Sequence, residues 1–159
     1  MSVLRIVAAV TAGLLVGVSA HALALSMPLA ERVAKADFIG VVEVRSVRPS
    51  PAAALPEEDR QRSFLQIAEA VVITPVKGQD VPSRITIDFD NGLGCPNVLY
   101  ERDHVYLVFL WRDAEGSYST VNYQQGRFEV RGNTIDYWTL DTNATLEQAI
   151  ADIVKLLGR

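Results

Sequence analysis

Cys95 and His104 are the pair on which a thiol nucleophile would have to be built, because a histidine beside a thiol lowers its pKa and favours the thiolate. They stand nine positions apart, Pro96 follows the cysteine directly, and neither lies in a cysteine-hydrolase signature. The local pattern predicts a cysteine beside a glycine-rich turn and a histidine opening a strand. No catalytic residue is assigned on this basis, and the chain is expected not to be an enzyme; a Cys95-dependent enzyme is the rival reading. As the lone cysteine, Cys95 has no intramolecular disulfide open to it. It is left to be buried and inert, to be a reactive thiol, or to link two copies into a homodimer.

Other site chemistries have less to work with. Once His21 leaves with the leader, one His and one Cys remain, with no zinc-like spacing. Asp88, Asp90 and Asp103 offer oxygen ligands around the glycine-rich turn, but the alternation ending in a glutamate that a calcium loop needs is missing. No metal and no cofactor are expected. Asn143-Ala-Thr145 matches a glycosylation acceptor formally and is better explained by helix capping. The aromatics Tyr100, Trp111, Tyr118, Tyr123, Tyr137 and Trp138 could stack a ligand on a barrel face. Most of them are expected to fill the core. Tyr123, Tyr137 and Trp138 are expected to stay partly exposed and to form the binding site, facing the loop that follows the first strand.

The elements that must position these residues follow from periodicity. Ser26 is placed to cap a short helix with Pro28 in its first turn and Leu29 and Val33 on its apolar side. Residues 37–47 are β-branched and strand-like, with Phe38, Gly40, Val42 and Val44 on one face. Gly40 predicts a bend or a close backbone approach. Residues 48–63, with Pro49, Pro51, Pro56 and three consecutive acids, read as an exposed loop. Residues 64–76 form a long strand, and 84–90 alternate cleanly with Ile85, Ile87 and Phe89 inward.

Residues 104–111 are apolar on both faces: Val105, Leu107, Phe109 and Trp111 on one, Tyr106, Val108 and Leu110 on the other. Such a strand is covered on both sides, here by a barrel interior and a helix, and should be central. Residues 118–123, 127–131 and 134–138 are further strands, the last two joined at Gly132-Asn133. Thr145 opens a capping box, and Leu146, Ile150, Ile153, Val154 and Leu157 recur at helical spacing through 145–158. The expected fold class is mainly β: a small OB-type Greek-key barrel with a short N-terminal helix and a C-terminal amphipathic helix.

The order of several segments resembles the netrin/tissue-inhibitor-of-metalloproteinase-like (TIMP-like) superfamily, particularly its bacterial exported members of unknown function. The resemblance is carried by Ala36-Asp-Phe-Ile-Gly-Val-Val-Glu-Val44, Ala70-Val-Val-Ile-Thr-Pro-Val-Lys-Gly78, Cys95 after a strand, Tyr106-Leu-Val-Phe-Leu110 and Gly126-Arg-Phe-Glu-Val130. It implies an OB-fold barrel and transfers no activity. The animal inhibitors of this group hold the protease zinc through a disulfide-bonded cysteine at the mature N-terminus. Here the predicted mature start is Leu25, with no cysteine near it.

Arg5, an apolar run over 6–18 and Ala22-Leu23-Ala24 form a secretory signal pattern over residues 1–24, predicting cleavage after Ala24. The run is short of the roughly 20 residues that span a bilayer, and Gly13 and Gly17 interrupt it. No stable membrane span is expected after cleavage; retention of the leader as an anchor is the other outcome. Residues 25–159 suit a single domain. Cleavage removes one arginine, leaving 14 basic against 19 acidic residues, a poor balance for a phosphate backbone, so nucleic acid is not an expected partner. The expectation is an exported domain, periplasmic or extracellular, that binds a protein or envelope component through barrel loops.

Overall fold

A computed structural model describes residues 27–60, 63–90, 98–139 and 142–158. The chain enters through helix α1 (Leu29–Lys35), whose N-cap is Pro28 itself, its carbonyl accepting the N–H groups of Glu31 and Arg32. Ser26, expected as the cap, lies outside the described residues. The other end of α1 is closed from a distance. The Lys77 ammonium donates to the carbonyls of Val33 (2.8 Å), Ala34 (3.4 Å) and Ala36 (2.5 Å), satisfying acceptors that a helix C-terminus leaves open.

Five strands close into a barrel. β1 (Phe38–Pro49), β2 (Gln66–Lys77), β3 (Arg84–Phe89), β4 (Val105–Arg112) and β5 (Tyr118–Thr120) pair in the order β1-β2-β3-β5-β4, and β4 returns to β1. The contact of β3 with β5 is parallel and the rest are antiparallel. This is the small OB-like barrel that the sequence predicts. Curvature comes from three register shifts between β1 and β2, at Ile39/Gly40, Val41/Val42 and Val44/Ser46, since each bulge bends and twists its strand. Gly40 sits at one of them. A Cβ there would stand 2.7 Å from the Thr74 carbonyl oxygen, so the glycine marks the close backbone approach expected of it.

Beyond the barrel, β6 (Arg127–Arg131), β7 (Thr134–Thr139) and β8 (Thr142–Thr145) extend the sheet from β4 and lead into α3 (Leu146–Leu156). The Thr145 hydroxyl accepts the Gln148 N–H at 3.2 Å, as the capping pattern requires. Strand β4 separates two cores. Tyr106, Val108 and Leu110 point into the barrel with Phe38, Val42, Ile87 and Phe89. Leu107 and Phe109 point the other way, under α1 and α3, with Ile39, Val41, Phe128, Trp138 and Ile153. The doubly apolar strand is central for that reason.

One strand boundary changes, and two details go beyond the sequence reading. The strand expected over 118–123 ends at Thr120, where pairing with Leu110 stops because the same edge of β4 is held by β6 over Tyr106–Val108. The 48–63 segment is not structureless: it carries a 3-10 turn (Pro51–Ala54) and a single-turn helix, α2 (Glu57–Arg60). Its base is tied by buried Ser50, whose hydroxyl donates to the Phe64 carbonyl at 2.5 Å. The short polar strand β8 has no apolar alternation to announce it. Among the described residues no helix is long and apolar enough to cross a membrane.

Candidate functional site

The three aromatics expected at the binding site part company. Trp138 is buried at 3 % exposure, packed against Phe128 and Phe109, with its indole N–H donated to Asp152 at 3.0 Å. It belongs to the core beneath α3, because that helix supplies both the apolar cover and the acceptor an indole needs when buried. Its expected exposure is corrected accordingly. The Tyr137 side chain lies outside what is described, as does Cys95. Tyr123 is exposed, and it lines a cleft of about 210 Å³ at one end of the barrel.

The cleft forms where the C-terminal ends of the parallel strands β3 and β5 meet the end of β4 and the return of the long 48–63 segment. Phe89 and Val98, each 3 % exposed, form its inner wall. Behind them Tyr100 packs edge-on to Phe89 and Tyr106, ring centroids 5.3 Å away in both cases, and shares a 2.8 Å hydrogen bond with the Thr120 hydroxyl. Complete burial drives the Tyr100 phenol well above its ordinary pKa, so it stays neutral and serves as structure. The rest of the wall is aromatic: half-buried Phe64 from the end of the long segment, with exposed Trp111 from β4 and exposed Tyr123.

Tyr123 is held in place with some force. Asn122 and Tyr123 are both left-handed, φ 52° each, a conformation costly for a bulky residue and sustained only where its surroundings impose it. The 3-10 turn that follows, Tyr123–Gly126, supplies that constraint. The Gln125 side-chain oxygen accepts from Asn122 and from the Met27 N–H, both at 2.8 Å, and its carbonyl accepts from buried Arg32 at 2.6 Å. Arg32 itself stacks on Phe109 and Phe128, and burial lowers its pKa. A side chain at Gly126 would collide with the Val121 carbonyl. Helix α1 thus pins the turn that presents Tyr123.

Charge enters through Asp88 and Asp90, both on the cleft wall. Burial pushes the Asp88 carboxyl above the usual range; a hydrogen bond from Ser117 pulls it back, and Asp113 and Glu115 push it up again. Asp113 keeps its own place through hydrogen bonds from the N–H groups of Glu115 (3.0 Å) and Ser117 (2.9 Å). The opposing charge is Arg48, whose Nε lies 3.2 Å from Glu69. His104 is elsewhere, its Nδ1 3.2 Å from Glu129 and 3.5 Å from Glu101. Asp103, grouped with Asp88 and Asp90 on sequence, faces Arg102 at 3.4 Å, and among the described residues no three His, Cys, Asp or Glu converge as metal ligands.

Of the residues that shape this cleft, sequence reasoning assigns Tyr123 to the site, leaves Trp111 among the aromatics expected mostly in the core and Asp88 among acids beside the turn, and passes over Phe64. Trp111 continues an apolar alternation and Asp88 an outward polar one, so neither carries a signal of its own. No protein-family model matches the chain, and no curated protein does. The cleft's own chemistry is what speaks to function.

Proposed function

We propose that this chain is an exported, non-enzymatic binding domain of the netrin/TIMP-like kind, which engages a protein or envelope component through the cleft at the barrel end. The observation that carries the reading is Trp111 and Tyr123, 41 % and 43 % exposed, framing one concave site with Phe64. Aromatics left open on rigid elements bring large contact area at little ordering cost, which is what interface anchors do. The position agrees with the use of OB barrels, whose binding faces are bordered by strand 3 and the connecting loops. Export is supported by the signal pattern of residues 1–24.

The test is retention. The chain is immobilised and challenged with an envelope extract, beside a variant carrying Trp111→Ala and Tyr123→Ala whose fold is verified by circular dichroism. A component held by the parent and lost from the variant supports the reading; equal retention by both refutes it. Sequencing the N-terminus of exported material should give Leu25, and a product confined to the cytoplasm would remove the exported role.

A further inference from the structure

We propose that the barrel-end cleft receives a single lysine or arginine side chain presented by a partner protein. This rests on the reading of the cleft as the binding site and adds the chemistry of its occupant. Size is the first argument. At about 210 Å³ the cavity falls below the roughly 300 Å³ at which small-molecule pockets begin, so it suits one long side chain better than a whole cofactor.

The walls are the second argument. Phe64, Trp111 and Tyr123 line the cleft with aromatic surface. A cation at the end of a methylene stem matches such walls twice, through its apolar stem and through attraction of the charge to the aromatic faces.

Charge decides the sign of the ligand. Asp88 places a carboxylate on the wall, and Asp113 and Glu115 add like charge around it. Arg48 opposes them but is already within 3.2 Å of Glu69. The Arg112 guanidinium lies 5.7 Å from the Tyr118 ring and does not line the cleft. With the whole chain at a formal charge of −4, an anionic ligand meets repulsion at long range and again at the wall, whereas a cation is drawn in. The half-buried Asp88 carboxylate, desolvated as it stands, gains a counter-charge when the cation arrives.

The experiment uses three synthetic hexapeptides: one rich in lysine and arginine, one with norleucine and citrulline at those positions, and one with glutamate. Tetramethylammonium chloride is the small-cation probe. Acrylamide quenching reads the site directly, because of the two tryptophans Trp138 is buried and Trp111 is exposed. The basic peptide should protect Trp111, with an affinity at least about five-fold weaker in 1 M salt, where the Debye length is ~3 Å. Asp88→Asn should weaken it by a similar factor while the buried Trp138 emission, a check on folding, is unchanged.

Equal protection by the neutral peptide would overturn the cationic assignment and leave an apolar cleft. Tetramethylammonium competing as tightly as the basic peptide would overturn the protein side chain as occupant. Failure of every probe to protect Trp111 overturns the proposal. The cleft as a binding site is judged separately, by the retention of envelope components on the Trp111 and Tyr123 variant.

Discussion

Replacing Gly40 by alanine tests how closely β1 and β2 must approach for the barrel to close. The added methyl would stand 2.5 Å from Phe38 Cζ and 2.7 Å from the Thr74 carbonyl oxygen, both well inside contact distance. Neither neighbour yields easily. Phe38 is 1 % exposed, its ring fixed in the barrel interior edge-on to Tyr118, and the Thr74 oxygen belongs to the paired backbone at a bulge. Overpacking of this kind costs about 1–3 kcal/mol. Gly40 is not among the glycines with positive φ, so alanine also returns roughly 0.4–1 kcal/mol through a less disordered unfolded chain.

The expected net loss is about 1–2 kcal/mol, a fall in melting temperature on the order of 5 °C. Urea unfolding followed by tryptophan emission should show a lower midpoint at an unchanged slope. Gly132→Ala is the useful comparison: nothing lies within 4 Å of its added Cβ, and φ is 61°, so any loss there is backbone strain of roughly 1–2 kcal/mol. A Gly40→Ala protein as stable as its parent would refute the contact, and with it the account of closure by bulge and glycine.

Three further outcomes follow from the same packing. Lys77→Met keeps the aliphatic stem and removes the donor shared by Val33, Ala34 and Ala36; a loss of about 1–3 kcal/mol in thermal unfolding is expected, and none at all would show that the ammonium does not cap α1. Trp138→Phe deletes the bond to Asp152 and part of the ring packing, costing about 2 kcal/mol and removing the blue-shifted component of the emission; loss of the red, quencher-accessible component instead would contradict the burial. Burial raises Asp88, so the folded chain keeps that proton to higher pH than the unfolded chain does, and stability falls as pH rises from the unfolded value near 3.9 through the folded one. Asp88→Asn should therefore melt slightly above the parent at neutral pH and match it near pH 3, and a variant less stable only at neutral pH would reverse the sign.

Where alternation alone decides burial, the sequence is transparent. Ile85, Ile87 and Phe89 turn inward as their spacing says, and the two apolar faces of β4 do separate two cores. Gly40 is legible too, because a glycine inside a β-branched run has few other reasons to be there. The burial of Trp138 is not legible in the sequence, since it depends on Asp152, fourteen residues away on another element, and nothing local reveals that an acceptor will be waiting for the indole. The strand boundary at Thr120 was hidden for a similar reason: Val121 is as strand-like as its neighbours, and what stops pairing is competition for the edge of another strand.

That competition also accounts for the cleft. One edge of β4 belongs wholly to β1, from Val105 to Leu110, while the other is divided between β6 at Tyr106–Val108 and β5 at Leu110–Arg112. Leu107 and Phe109 therefore lie under the roof that continues from β6 into β7, β8 and α3, and both are fully buried. Trp111 keeps the same side-chain parity two residues later, but the strand beside it is now the three-residue β5, with Ser119 opposite. Its ring is left 41 % exposed by the hand-over of an edge, with no break in its own pattern. The same hand-over ends β5 at Thr120 and forces the chain through the left-handed pair Asn122 and Tyr123, which sets the second exposed ring beside the first. One topological event thus closes the barrel and opens the cleft at its end.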